Sequence, residues 1–76
     1  MKVKVFFFDG PTQEVVALRV HPRVTLAQLC EKVAARLGGR SVALRYALRD
    51  GDVYLDDDEM LLEWMESTDK HVLYAD

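Results

Sequence analysis

The chain contains few cysteines, prolines and glycines. It has one cysteine, two prolines and four glycines. The single cysteine, Cys30, excludes an intrachain disulfide and agrees with a reducing compartment. No stretch approaches the roughly 20 apolar residues that a membrane-spanning helix needs, and the apolar run after Lys4 is too short for a signal peptide. We therefore expect a cytoplasmic protein, or a domain of a larger one.

The length allows one domain at most, since the chain has 76 residues. Half of them are hydrophobic, which is enough for a compact core, and 30% are charged. No internal repeat, low-complexity stretch or linker divides the sequence. Residues 1–76 are therefore expected to form a single domain, with little room for a catalytic cleft.

The charges separate by sign along the sequence. Residues 1–49 contain nine Lys or Arg against three Asp or Glu, and residues 50–76 contain one Lys against ten acids. The net charges of +6 and −9 sum to the −3 of the whole chain. Opposite charges on two parts of a small body favour head-to-tail contact with another copy or a related domain. The acidic half argues against nucleic-acid binding.

Alternating residues predict five strands. Val3, Val5 and Phe7 alternate with Lys2 and Lys4, a period typical of a half-buried strand. A turn at 9–12 leads into a second strand from 14 to 20, so the two form a hairpin. Further strands are expected at 42–48, 53–55 and 71–75, with a hairpin turn at 50–52 and a polar loop at 67–70.

Two helices are expected between these strands. Thr25 and Gln28 form a capping box in front of an apolar stripe, and the glycines at 38–39 end that helix. Asp56 is expected to cap a shorter second helix, with Glu59 at the capping-box position. The order ββαββαβ, with a mixed sheet and both helices on one face, indicates an α+β protein of the β-grasp, or ubiquitin-like, class.

Acidic residues concentrate between positions 50 and 59, where no basic residue interrupts them. Turns and helix N-termini account for some of them, because carboxylates stabilise unpaired backbone N–H groups there. One or two acids suffice for capping, so the surplus predicts a partner-binding surface, although a solvated, capping face remains the simpler alternative. The expected acidic surface contains Asp50, Asp52, Asp57, Asp58 and Glu59.

A basic surface is expected around the first strand. Lys4 and Lys2 lie on the same face of that strand by alternation, although a lysine in a strand is often only a solvated edge residue. Arg19 shares this face if the first two strands pair in a suitable register. Arg45 lies on the open face of the third strand. The expected basic surface therefore contains Lys4, Lys2, Arg19 and Arg45.

No residue pattern indicates a metal, a cofactor or a catalytic centre. An EF-hand loop starting at Asp50 would need Gly at its sixth position and Glu at its twelfth, where Leu55 and Leu61 stand. Neither histidine has a ligand partner at helical spacing, and Cys30 falls within an apolar stripe, as a core residue does. Without a nucleophile–base pair, we expect a non-enzyme that binds protein.

Three segments resemble the Phox and Bem (PB-one) family of β-grasp interaction domains. Residues 3–7 resemble its lysine-bearing first strand, and residues 20–33 its second strand and first helix. Residues 46–52, followed by Leu55 and by residues 57–61, resemble its acidic signature motif, although residues 47–49 carry no acid. The resemblance implies that the acidic motif of one domain pairs with the lysine strand of the next, in scaffold, polarity or signalling assemblies.

Two hypotheses for function follow. The first is a module that associates head to tail, as a homo-oligomer or with a related domain, through the basic and acidic surfaces. The alternative is a monomeric ubiquitin-like adaptor that binds a small GTPase or an unrelated scaffold partner, for example by pairing its second strand with a strand of that partner.

Overall fold

The computed structural model describes residues 1–67 and 70–76 and contains the seven expected elements. They are β1 (Lys2–Asp9), β2 (Thr12–Arg19), α1 (Leu26–Arg36), β3 (Leu44–Leu48), β4 (Gly51–Tyr54), α2 (Asp58–Ser67) and β5 (Val72–Ala75). The predicted ββαββαβ order is confirmed. Of the loop expected at 67–70, residues 68 and 69 lie outside the described part. No helix in the described part is long and apolar enough to cross a membrane.

The five strands form one mixed sheet in the order β2-β1-β5-β3-β4. β1 pairs with β2 as an antiparallel hairpin and with β5 in parallel, while β3 pairs antiparallel with both β5 and β4. Gly10 turns the first hairpin with a φ of 61°, a left-handed conformation that glycine adopts without steric cost. The first and last strands therefore lie side by side at the centre, which is the β-grasp arrangement.

One face of the sheet is covered by both helices. Val3 and Val5 of β1 and Leu73 of β5 are fully buried, and they form one cluster with Leu29 of α1 and Leu61 of α2. Burying such a side chain contributes about 1.5–3 kcal/mol. The alternate residues of each strand point to the opposite face, which carries no helix. We call this the outer face.

The start and end of α1 match the sequence signals. The Thr25 hydroxyl accepts a hydrogen bond from the Gln28 backbone N–H at 3.1 Å, and the Gln28 side chain accepts one from the Thr25 N–H at 3.0 Å. At the other end Gly38 has a φ of 77°, and the Gly39 N–H donates to the Ala34 carbonyl at 2.7 Å. The predicted capping box and glycine stop are confirmed.

The predicted cap of α2 is wrong by one residue. Asp57, and not Asp56, accepts a hydrogen bond from the backbone N–H of Met60, at 2.8 Å. The cause lies upstream, because Leu55 is buried and its N–H donates to the Leu44 carbonyl at 2.9 Å. Extended backbone therefore continues through Leu55, and the helix begins only after Asp57.

Several strand boundaries also differ from the expected ones. β2 covers Thr12–Arg19 where residues 14–20 were expected, and β3 begins at Leu44 and not at position 42. β4 covers Gly51–Tyr54 where residues 53–55 were expected, and β5 begins at Val72 and not at position 71. The hairpin ladder explains the difference in β2, because Asp9 pairs with Thr12 and extends β2 to the turn. The last expected residue, Val20, still donates to the Met1 carbonyl at 2.8 Å.

Candidate functional site

Three basic side chains lie together on the outer face of the first hairpin. The register sets Lys2 directly opposite Arg19, and sets Lys4 opposite Ala17. All three basic residues are exposed, and no described carboxylate lies within 4 Å of their charged groups. We call Lys2, Lys4 and Arg19 the basic surface. Its positive charge is not neutralised within the described part of the chain.

The arrangement of these charges is unfavourable in isolation. Like charges directly opposite each other across an antiparallel pair destabilise it, and Lys2 and Arg19 are such a pair. Lys4 adds a third positive charge on the same face. An anionic group from elsewhere would relieve this repulsion, which makes the hairpin a candidate site for a carboxylate-bearing partner.

Exposed apolar side chains continue along the outer face from the basic surface towards the hairpin turn. Phe8 and Val15 are 50% and 51% exposed. Half-buried Phe6 lies opposite Val15 in the register and follows Lys4 on the same face. A partner seated here would cover apolar area as well as charge. Excluding water in this way strengthens the attraction between opposite charges.

The acidic residues lie in and after the β3–β4 hairpin, whose strand β4 forms the other edge of the sheet. Asp50 belongs to the β3–β4 turn, Asp52 to β4, and the others to the connection into α2 and to its first turn. All of them are exposed. We call residues Asp50, Asp52, Asp56, Asp57, Asp58 and Glu59 the acidic surface.

Two members of the acidic surface also stabilise helix N-termini. Asp57 caps α2 through Met60, and Asp58 accepts a hydrogen bond from the Leu26 backbone N–H at 2.7 Å, at the start of α1. The Asp58 contact joins the beginnings of the two helices. Both carboxylates therefore have a structural role that leaves only part of their hydrogen-bonding capacity for a partner.

The remaining acids are not used in this way. Asp50, Asp56 and Glu59 make no side-chain hydrogen bond or ion pair with residues in the described ranges. Asp56 was missing from the expected surface because it was assigned to the cap. The burial of Leu55 is a tertiary feature, so no local sequence signal pointed to the later start.

Arg45 lies apart from the basic surface. Its strand, β3, is separated from β1 by β5. Its guanidinium forms an ion pair with Asp52 at 2.6 Å and another with Asp76 at 3.2 Å. The same group lies over the ring of Tyr74, 5.3 Å from the centroid. Arg45 is therefore a neighbour of the acidic surface, and its assignment to the basic surface stays a prediction that these contacts do not favour.

Tyr54 completes the group around Arg45. Its hydroxyl donates to the Asp76 carboxylate, which chiefly lowers the pKa of Asp76, and Arg45 adds to that lowering. The same hydrogen bond raises the pKa of Tyr54. Sequence reasoning missed Tyr54, Tyr74 and Asp76, because only the strand register brings residues so far apart in the chain onto one patch.

The two charged surfaces form no ion pair with each other among the described residues, and Lys4 lies far from Asp52. Three strand spacings separate β1 from β4 in the sheet order, and at about 4.8 Å each these amount to roughly 14 Å. That exceeds the screening length of about 8 Å at physiological ionic strength. Each surface is consequently open to a second molecule.

The other residues considered from the sequence take structural positions. Cys30 is half-buried against the core, and burial raises the pKa of its thiol. His71 contacts the Met65 carbonyl at 3.0 Å and packs edge-on against Trp64. Within residues 1–67 and 70–76, no group of three or more His, Cys, Asp or Glu is arranged to hold a metal ion.

Comparison with known proteins identifies the fold. No family model matches the chain, and neither does any curated protein. The structure is similar to the solved AtNBR1-PB1 domain, with 21% sequence identity, a TM-score of 0.68, and coverage of 99% of this chain and 96% of that one. It is equally similar to the cryo-EM structure of the AtNBR1-PB1 filament (L-type), with 22% identity, a TM-score of 0.68, and coverage of 100% and 97%. Over its full length, the chain has the β-grasp fold of a PB1 domain.

Proposed function

We propose that this chain is an interaction module of the PB-one family that associates head to tail. The basic surface of one copy binds the acidic surface of the next, or that of a related domain. The observation that carries the proposal is the exposure of Lys4 on β1, without a described carboxylate within 4 Å, in a sheet whose β4 edge adjoins the acid-rich turn.

The geometry of two unlike surfaces supports assembly beyond a dimer. A contact between different patches leaves one of each free at the ends, so repetition gives an open filament or a closed ring. One of the two similar structures is a filament of PB1 domains. We propose that this chain forms comparable assemblies, in a scaffold or signalling role in the cytoplasm.

The strength of the contact comes from several charges together. An exposed ion pair contributes only about 0–1 kcal/mol. Micromolar affinity corresponds to about −8 kcal/mol, so ion pairs between three basic and six acidic residues need help from covered apolar area. Val15 and Phe8 offer that area further along the same hairpin face.

The monomeric adaptor remains the alternative. β2 lies at the edge of the sheet and pairs only with β1, so its outer backbone groups are available for a strand from a partner. The side chain of Arg36 reaches the Ala17 carbonyl at 3.4 Å and covers part of that edge. A partner strand would have to displace it.

Two complementary variants separate these functions. Lys4→Ala removes the central basic charge and keeps the acidic surface. Asp50→Lys with Glu59→Lys reverses two acids that have no described intramolecular partner, and it keeps the basic surface. Each variant alone is expected to be a monomer in sedimentation, and the equimolar mixture is expected to form a 1:1 dimer.

The controls remove or reverse a charge elsewhere on the surface. Lys32→Ala and Glu31→Lys change exposed residues of α1, and both variants should assemble as the unmodified chain does. A mixture that stays monomeric at low salt and high concentration, while circular dichroism reports folded protein, would contradict head-to-tail association and favour the adaptor.

A further inference from the structure

We infer that Arg45 is a positioning residue of the acidic surface, which holds Asp52 in the orientation that a partner's basic strand binds. The inference rests on the proposed head-to-tail function and changes the role of one of the two arginines that the sequence grouped with the lysines. It concerns the β3–β4 hairpin, where Arg45 lies opposite Tyr54 and Asp52 lies opposite Ala47 on the same outer face.

The guanidinium of Arg45 is held from three directions. Nη1 donates to Oδ2 of Asp52 at 2.6 Å, and Nε donates to the two carboxylate oxygens of Asp76 at 3.2 and 3.4 Å. The third contact is the ring of Tyr74, which itself stacks on Phe6 with centroids 5.7 Å apart. The Arg45 side chain is only 20% exposed. The planar, forked guanidinium suits such simultaneous contacts, whereas a lysine ammonium does not.

Asp52 gains a fixed orientation from this arrangement. Its Oδ2 is bound to Arg45, while no hydrogen bond of the described residues uses Oδ1, and the side chain is 44% exposed. A side chain that is already ordered loses less entropy when a partner binds. Two carboxylates face the single charge of Arg45, so the patch keeps a net negative charge and still attracts a cation.

The same substitution placed in either member of a heterodimer tests this role. The parent pair consists of the Lys4→Ala variant, which supplies the acidic surface, and the Asp50→Lys, Glu59→Lys variant, which supplies the basic surface and retains the Arg45–Asp52 contact. Arg45→Gln is introduced first into one member and then into the other, and the dissociation constant is measured by calorimetry.

We expect Arg45→Gln to weaken binding roughly fivefold in the acidic-surface member, which is the upper end for an exposed ion pair, and to leave it unchanged in the basic-surface member. Arg45→Lys in the acidic-surface member should give an intermediate value. The matched control is Arg40→Gln, which also removes an ion pair, to Asp9 at 3.0 Å, and a guanidinium contact with a ring, that of Phe7 at 5.5 Å.

Three results would overturn the inference while the proposed function stands. If Arg45→Gln in the acidic-surface member tightens binding, Arg45 competes with the partner's basic surface for Asp52. If Arg45→Gln weakens binding only in the basic-surface member, Arg45 belongs to the basic surface, as the sequence predicted. Equal loss in both members, or the same loss with Arg40→Gln, would reduce its role to general stability. A parent pair that fails to bind would overturn the proposed function, and this inference with it.

Discussion

Lys2 and Arg19 face each other directly across the first hairpin, with no described carboxylate within 4 Å of either charge. A sequence under selection for stability alone would place opposite charges at such a pair. Such a like-charged pair fits the proposed binding of an anionic partner, and it separates the stability of the fold from its proposed function.

The first prediction follows from that pair. In a Lys4→Ala background, which prevents assembly, Arg19→Glu should raise the free energy of unfolding by about 0.5 kcal/mol, because it replaces a repulsive cross-strand pair by an attractive one. Urea denaturation measures the change. Gln13→Glu, on the same strand but opposite Phe8, is the control and should have a smaller effect. Destabilisation by Arg19→Glu would show that Lys2 and Arg19 do not repel each other.

The second prediction concerns the cap of α2. Asp57→Ala should lower the free energy of unfolding by about 1 kcal/mol, because the Met60 N–H loses its acceptor. Asp56→Ala, one residue earlier, should change it much less, because Asp56 accepts no such bond. Thermal and urea unfolding of both variants measure the difference. The reverse ranking would restore Asp56 as the cap.

The third prediction concerns ionic strength. Association of the unmodified chain should weaken steeply between 0.05 and about 1 M NaCl, because the screening length falls to about 3 Å at 1 M. Light scattering at a fixed protein concentration follows the loss of large species. A residual association at high salt should disappear with Val15→Ser, whose exposed side chain adjoins the basic surface. Assembly that strengthens with salt would instead point to a mainly apolar contact.

The fourth prediction concerns the carboxyl of Asp76. Its pKa lies below the ordinary 3.8, chiefly because the Tyr54 hydroxyl donates to it. Tyr54→Phe should therefore raise that pKa towards the ordinary value, as measured by carbon-detected NMR titration.

The same pKa shift has a consequence for stability. A carboxyl whose pKa is lowered by folding contributes stability that is present above pH 3.8 and is lost as the pH falls through the lowered value. Asp76→Asn should therefore make the free energy of unfolding depend less on pH below about pH 4. If the variant and the unmodified chain lose stability equally with falling pH, the Asp76 contacts are not maintained in solution.

Local signals in the sequence predicted most of the fold. Thr25 and Gln28 predicted the start of α1 because a capping box satisfies two backbone N–H groups within four residues. The alternation around Lys4 predicted which side chains leave the core, since strand periodicity depends only on the backbone. The cap of α2 was missed because a tertiary contact, the burial of Leu55, shifted the start of the helix.

The separation of charge along the chain, and hence the existence of a basic and an acidic surface, was determined by the sequence alone. Only the tertiary structure decided which charges belong together. It set Arg19 opposite Lys2, and it placed Arg45 beside Asp52 and Asp76. The reason is that strand order is set by pairing between segments far apart in the chain, which no local pattern encodes, while the register of a pair depends on the exact turn geometry and on burial of one face of the sheet.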